Sequence, residues 1–206
     1  MEFWNSIMTE KSWNILQDLT KKPFKFALIG GWAVYLWTNL HKSKDIDIII
    51  DINNLAYLKE NYNLIKNDNL KKYEIKFQEI DLDIYTSYFS KLSMPVEDII
   101  KYTTKIQNME VVIPEILLIL KQAAEMSRRY SVKGGKDRID IMTLMLFADI
   151  DFNKYNSFLK KYDLSNYYDR LKEIINTFKD IGYLNLNPRE FKLKKAEILK
   201  KLKFVQ

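Results

Sequence analysis

The chain has 206 residues, 47% of them apolar, and a formal net charge of +6, so it can bury a real core and is not disordered throughout. It holds no cysteine and one histidine, His41, which excludes disulfides, thiolate zinc sites, cysteine nucleophiles and histidine-rich metal clusters. A metal must then be held mainly by oxygen, which points to magnesium or manganese.

In chain order, residues 2–20 predict a helix with Trp4, Ile7, Met8, Ile15 and Leu19 on one side. Lys21-Lys22-Pro23 ends it, because proline disfavours a helical residue before it. FKFALI at 24–29 predicts a strand, Gly30-Gly31 a turn, and WAVYLWTNL a helix of about two turns. KDIDIIID at 44–51 predicts a strand with Asp45 and Asp47 on one side and Ile46 and Ile48 on the other. A helix is expected over 54–66. The alternation KKYEIKFQEIDLDIY at 71–85 then predicts two strands or one long bent strand, with Glu79, Asp81 and Asp83 sharing a face.

After Pro95 the composition shifts. PVEDIIKYTTKI predicts a short helix plus a connector, and MEVVI a last strand. Pro114 and Glu115 suit the first turn of a helix over PEILLILKQAAEMSRRY. SVKGGK is expected to be a flexible break. Helices are then expected over KDRIDIMTLMLFA, 152–161, 165–180 and 188–203. The fold class expected is α+β: a small mixed sheet flanked by helices, residues 1–112, followed by a helical domain, 113–206.

The positive charge is local. Leu184 to Gln206 holds seven Lys/Arg and two acids, +5 of the chain's +6. The apolar stripe there, Phe191, Ile198, Leu199 and Leu202, is expected to dock on the protein's own core; nucleic acid, a membrane surface or a partner helix are the other readings. No apolar run reaches the roughly 18 residues of a membrane span, and MEFWNSIMTEKSW lacks the order of a signal peptide, so a soluble cytoplasmic protein is expected.

Three constellations carry chemistry. Asp45 and Asp47 can converge on ions in front of a sheet, since same-face residues of a strand lie about 6.6–6.8 Å apart. Ionised acids beside an apolar strand repel and lose solvation unless something positive compensates. Asp83 can supply the third carboxylate of a two-metal site, with Asp81 the alternative and Glu79 behind both. Gly30-Gly31, between strand and helix, forms a natural phosphate cradle, because bare backbone and free helix amides can face an anion. Trp32 and Trp37 are read as core rather than as platforms for bases.

GGWAVYLW, then HKSKDIDI, then IDLDIYTS resembles the nucleotidyltransferase superfamily that includes DNA polymerase beta, in particular its abortive-infection and toxin-like branch. The resemblance covers residues 24–90 and extends loosely to 145. It implies a mixed sheet carrying three acids and a following helical domain. His41 and Ser43 stand where that branch commonly has arginine and threonine, a departure that removes a guanidinium fork but keeps a donor and a hydroxyl. The paired glycines likewise replace a glycine-serine pair.

The resemblance implies transfer of a nucleoside monophosphate from a nucleoside triphosphate, ATP first among the donors, to a hydroxyl of RNA, a protein or a small molecule, with release of pyrophosphate. It implies Mg2+ or Mn2+ held by Asp45, Asp47 and Asp83, and nucleotide contacts from Gly30, Gly31, His41, Ser43, Lys44 and Lys121. Lys136-Asp137-Arg138 with Asp140 looks like the family's second helical motif. Arg128, Arg129, Lys133 and Lys136 form a basic loop that could grip an acceptor, or simply stand in solvent. The alternative function is a non-catalytic, antitoxin-like module that binds nucleotide, RNA or a protein partner on the same scaffold. Monomer and homodimer both remain open.

Overall fold

The computed structural model describes residues 5–203, so Trp4 lies outside the described residues. The architecture is α+β, and the chain divides into two units, the first ending at Ile113 and the second beginning at Pro114.

The first unit opens with helix α1 (Ser6–Leu19), whose N-cap Asn5 side chain accepts from the amides of Ile7 and Met8. Strand β1 (Phe26–Ile29) passes directly into helix α2 (Gly30–Thr38). The sequence predicts a glycine turn at that point; instead Gly30 makes the change of direction alone, at φ +67, and both glycines are helical. Strand β2 (Ile46–Ile50) follows, then helix α3 (Leu55–Asn61). The helix expected to reach residue 66 stops at Asn61, and the chain becomes extended as β3 (Ile65–Asn67).

The long alternating segment resolves into two strands, β4 (Lys72–Phe77) and β5 (Ile80–Thr86). The turn between them contains Gln78, at φ 57, and Glu79. Glu79 therefore does not share a strand face with Asp81 and Asp83, because the tight turn takes it out of the ladder. Helix α4 (Val96–Ile99) leads to a hairpin of β6 (Thr103–Ile106) and β7 (Met109–Val112), where the sequence predicts a connector and one strand.

These strands form one sheet in the order β3-β4-β5-β2-β1-β7-β6. β2 runs antiparallel to β1 and parallel to β5. Along β2 and β5 the residues Ile46, Ile48, Ile50, Leu82 and Ile84 are buried on one face, which fixes the acidic residues between them to the other. Trp32 is fully buried in the same unit and donates its Nε1–H to Ser12 Oγ at 2.8 Å. Trp37 Nε1–H donates to the Val112 carbonyl at 2.9 Å. Both indoles are committed to packing and to internal hydrogen bonds.

The second unit is helical: α5 (Pro114–Arg128), α6 (Val132–Phe147), α7 (Phe152–Lys161), α8 (Asn166–Thr177) and α9 (Pro188–Lys203). The expected break at SVKGGK is absent, since Ser131 caps α6 by accepting from the Gly134 amide. Gly134 is required there, as a β-carbon would stand 2.2 Å from the Arg128 carbonyl oxygen. The apolar stripe of α9 is used internally. Phe191, Ile198 and Leu202 are buried, Phe191 lies against Phe178 with ring centroids 6.0 Å apart, and the Tyr168 hydroxyl donates to the Leu202 carbonyl. No helix among the described residues is long and apolar enough to cross a membrane.

Candidate active site

The register of the central strands decides which acids meet. Parallel pairing of β2 with β5 sets Asp47 directly beside Asp83. Antiparallel pairing of β1 with β2 sets Ile29, the last residue before Gly30, on the other side of Asp47. Paired residues on adjacent strands share a face and lie about 5 Å apart. Asp47 and Asp83 are therefore lateral neighbours where β1 turns into α2.

Gly30 lets this happen. A β-carbon there would stand 2.0 Å from Asp47 Oδ2, and the positive φ is itself unfavourable for any other residue. Gly31 has the same relation to Ser43, since its β-carbon would come within 2.6 Å of Ser43 Oγ. Ser43 is buried, His41 is half-buried and Lys44 is exposed. The N-cap residue of α2, Ile29, offers no side-chain acceptor to the helix's first amides. Helix end, hydroxyl and carboxylate thus crowd around two residues that lack side chains.

Asp45 lies in the bend just before β2 rather than in the strand. Asp81 lies on β5 two residues before Asp83, on the same face and half-buried. Asp45 Oδ1 and Asp83 Oδ1 are both buried and accept no hydrogen bond, an arrangement that costs free energy unless a cation or a donor meets them. Burial, and then the negative charge of Asp47, push the Asp83 carboxyl up to about 6 despite the opposing Lys72 ammonium.

Lys72 and its neighbour Glu74, on β4, were not singled out in the sequence. Glu74 is the register partner of Asp83 on the side away from Asp47. Lys72 Nζ lies 2.6 Å from Asp83 Oδ2 and 3.1 Å from Glu74 Oε1. Burial works against the charged form of Lys72, but its hydrogen bonds to Asp83 and Glu74 outweigh that and hold the ammonium above its ordinary range. The available signal was the same alternation that revealed Asp81 and Asp83, because KYE places Lys72 and Glu74 on one face of a strand.

A hard, oxygen-liganded cation suits this donor set, given the two buried carboxylate oxygens that accept nothing and the cradle that a side chain at Gly30 would fill. Among the described residues, however, no three His, Cys, Asp or Glu side chains are gathered closely enough to form a metal-ligand set. What the fold brings together is the pair Asp47 and Asp83, with Asp45 and Asp81 next to them in the chain.

The open hollow of about 750 Å3 in this unit contains none of these aspartates. It is lined by Phe24, Phe26, Ile49 and Asp51, among others, toward the opposite end of β2.

Three of the helical unit's candidates, Lys121, Arg128 and Arg129, are held in ion pairs of their own. Lys121 Nζ lies 2.6 Å from Asp140 Oδ2 and 3.8 Å from Asp137 Oδ1. Arg128 is bidentate to Asp137, at 2.6 and 2.9 Å, and Arg129 reaches Glu173 at 3.2 Å. Lys133 is exposed and Lys136 half-buried in the first turns of α6.

Neither a protein-family model nor a curated protein matches the chain. Among solved structures the chain is similar to JHP933 from Helicobacter pylori, with 20% identity over 98% of this chain and 95% of that one, at a TM-score of 0.48. It is similar to an antigenic nucleotidyltransferase-like protein from Paracoccidioides brasiliensis, with 18% identity over 82% and 94% of the two chains, at 0.45. It is also similar to the lincosamide antibiotic adenylyltransferase LnuA, with 17% identity over 69% and 98%, at 0.42. These likenesses are loose, and the functional reading is taken from the carboxylates.

Proposed function

We propose that the protein transfers a nucleoside monophosphate from a nucleoside triphosphate, ATP first among them, to a hydroxyl of RNA, a protein or a small molecule, releasing pyrophosphate. The observation that carries this reading is the parallel pairing that sets Asp47 beside Asp83 against the side-chain-free start of α2. A fold has little reason to line up two carboxylates there, and to leave buried oxygens on Asp45 and Asp83 without partners, unless positive charge arrives from outside.

Asp45, Asp47 and Asp83, with Asp81 the alternative to Asp83, would hold Mg2+ or Mn2+. When bound, such an ion screens phosphate charge and lowers the pKa of an acceptor hydroxyl. The chain's own groups do the rest. The first amides of α2, the Ser43 hydroxyl, His41 and Lys44 bind the triphosphate and aim its α-phosphorus. The acceptor oxygen attacks that phosphorus in line as the bond to pyrophosphate breaks. The acceptor's proton passes to solvent as the new bond forms.

The test is incubation of purified protein with Mg2+ and α-labelled nucleoside triphosphates, offering RNA, protein and small-molecule acceptors. Transfer is expected from the wild type and should drop to background in the Asp45→Asn/Asp47→Asn double variant. Equal transfer by wild type and double variant would overturn the reading.

A further inference from the structure

Helix α9 holds most of the chain's excess charge, with seven Lys/Arg against two acids, +5 of the net +6. Its apolar stripe is already used inside the helical unit, where Phe191, Ile198 and Leu202 are buried. A membrane or a partner helix would take hold of that stripe. What α9 still offers is its polar side, where Leu193 is the one large apolar side chain that stands exposed among the described residues.

The charges on that side are sorted. Arg189, Lys192, Ala196 and Lys200 follow one another at i, i+3, i+7 and i+11 along one flank of the helix, and all four are exposed. Glu190 and Glu197 fall on the other flank, where Glu197 pairs with Lys201 at 3.3 Å and Glu190 accepts from the Asn187 amide at 2.9 Å. Lys194 lies over the Phe147 ring, and Lys195 donates to the Asn176 carbonyl at 3.1 Å. Among the described side chains of α9, Arg189, Lys192 and Lys200 are the cations that enter no ion pair, hydrogen bond or ring contact.

A merely solvated helix gains nothing from this sorting. Opposite charges three or four residues apart stabilise a helix, whereas like charges at such spacing, as at Arg189 and Lys192, do not. The helix dipole favours Lys200 near the C-terminal end but opposes Arg189 in the first turn.

We propose that this flank of α9 binds the phosphate backbone of a duplex nucleic acid. From Arg189 to Lys200 the helix rises about 16 Å, enough to meet several phosphates of a duplex that carries one per roughly 3.4 Å of each strand. The flank presents no aromatic ring on which unpaired bases could stack, so its cations grip backbone rather than bases. The inference stands on the helical unit alone and uses none of the carboxylates of the proposed transfer.

The experiment follows the fluorescence anisotropy of short labelled RNA and DNA duplexes of mixed sequence, titrated with the full chain. Neutralising three phosphates should weaken wild-type binding about 40-fold between about 50 and 200 mM salt. Arg189→Gln/Lys192→Gln/Lys200→Gln should bind at least about tenfold more weakly at the low-salt end and flatten the salt slope by about 1 per residue replaced. Lys11→Gln/Lys25→Gln/Lys91→Gln removes the same charge from exposed lysines of the sheet unit and should stay within about threefold of wild type. Asp45→Asn/Asp47→Asn should bind no less tightly than wild type. Circular dichroism checks each fold, and should the α9 triple variant not fold, the three single variants decide by the same slope.

A loss on the RNA duplex, the DNA duplex or both upholds the inference and names the nucleic acid. No duplex binding by the wild type at low salt overturns it, as do equal losses in the two triple variants, which would reduce the effect to net charge. Loss of binding in Asp45→Asn/Asp47→Asn would move the contact to the carboxylates and overturn it as well. Phosphatidylserine vesicles form the last arm: a wild type that binds them and neither duplex would assign the flank to a membrane surface instead. None of these failures touches the transfer reading, which is measured by label transfer.

Discussion

In the helical unit, Glu125 is fully buried and takes hydrogen bonds from the guanidinium groups of Arg138 and Arg170. Asp140 takes the Lys121 ammonium, and Asp137 the fork of Arg128. In the sheet unit, by contrast, Asp45 and Asp83 each keep a buried oxygen that accepts nothing, although Lys72 is within reach of one side of Asp83. Both units bury carboxylates, but the helical unit answers each of these three with a cation, and the sheet unit leaves part of its charge unanswered. Buried charge that is matched internally is architecture; buried charge that is not is the physical mark of a site awaiting a ligand.

The largest effect should come from breaking the matched network. Glu125→Ala leaves Arg170, only 7% exposed, without its main partner. We expect a loss of about 3–5 kcal/mol in unfolding free energy, read by urea denaturation. A loss under about 1 kcal/mol would mean that water already enters the network, and the contrast between the units would fail.

A glycine pair sharpens the contrast. Gly30→Ala forces a β-carbon into Asp47 at positive φ and should destabilise by about 2 kcal/mol. Gly135→Ala in α6, where nothing lies within 4 Å of the new carbon, should be neutral or up to about 1 kcal/mol stabilising. Thermal melts of the two variants side by side test this, and equal shifts would refute the close approach at Gly30.

The last effect concerns pH. Asp83 holds its proton up to about 6 in the fold, against an ordinary value of 3.8. Between those values the folded state binds more protons than the unfolded chain, so this group's contribution to stability falls as pH rises through the window and is level above it. In buffer free of divalent ions, the stability of wild type relative to Asp83→Asn should therefore decline by roughly 1–3 kcal/mol across that window. The check is urea denaturation at a series of pH values. A level difference would mean that Lys72 neutralises Asp83 completely, and the sheet unit would then handle charge as the helical unit does.

Much of this was legible in the sequence, and the limits follow from physics. The alternation in KDIDIII and IDLDIYT displays the acidic faces, because a strand's period of two is written into the chain itself. Which acid lies beside Asp47 was not legible, because the register of a parallel pair joins residues far apart in sequence. Glu79 read as part of a strand because nothing in QE announces a turn; Gln78 adopts a left-handed conformation that residues of its kind seldom take. Gly30-Gly31 and the glycines of SVKGGK read as breaks because glycine weakens helices on average. At Gly30, Gly31 and Gly134 tertiary contacts override that average, since the neighbour leaves no room for a β-carbon. Lys72 was not legible because a lysine in an alternating segment reads as a solvent-facing charge, and only the register of β4 on β5 brings it to Asp83.

The parallel pairing of β2 with β5 also has a bearing on assembly. Their connection runs through α3, β3 and β4, so Asp47 and Asp83 become neighbours only by pairing strands that lie far apart in the chain, a non-local contact of the kind that slows folding. A nascent chain that ends before Asp81 would carry Asp45 and Asp47 but lack the carboxylates of β5.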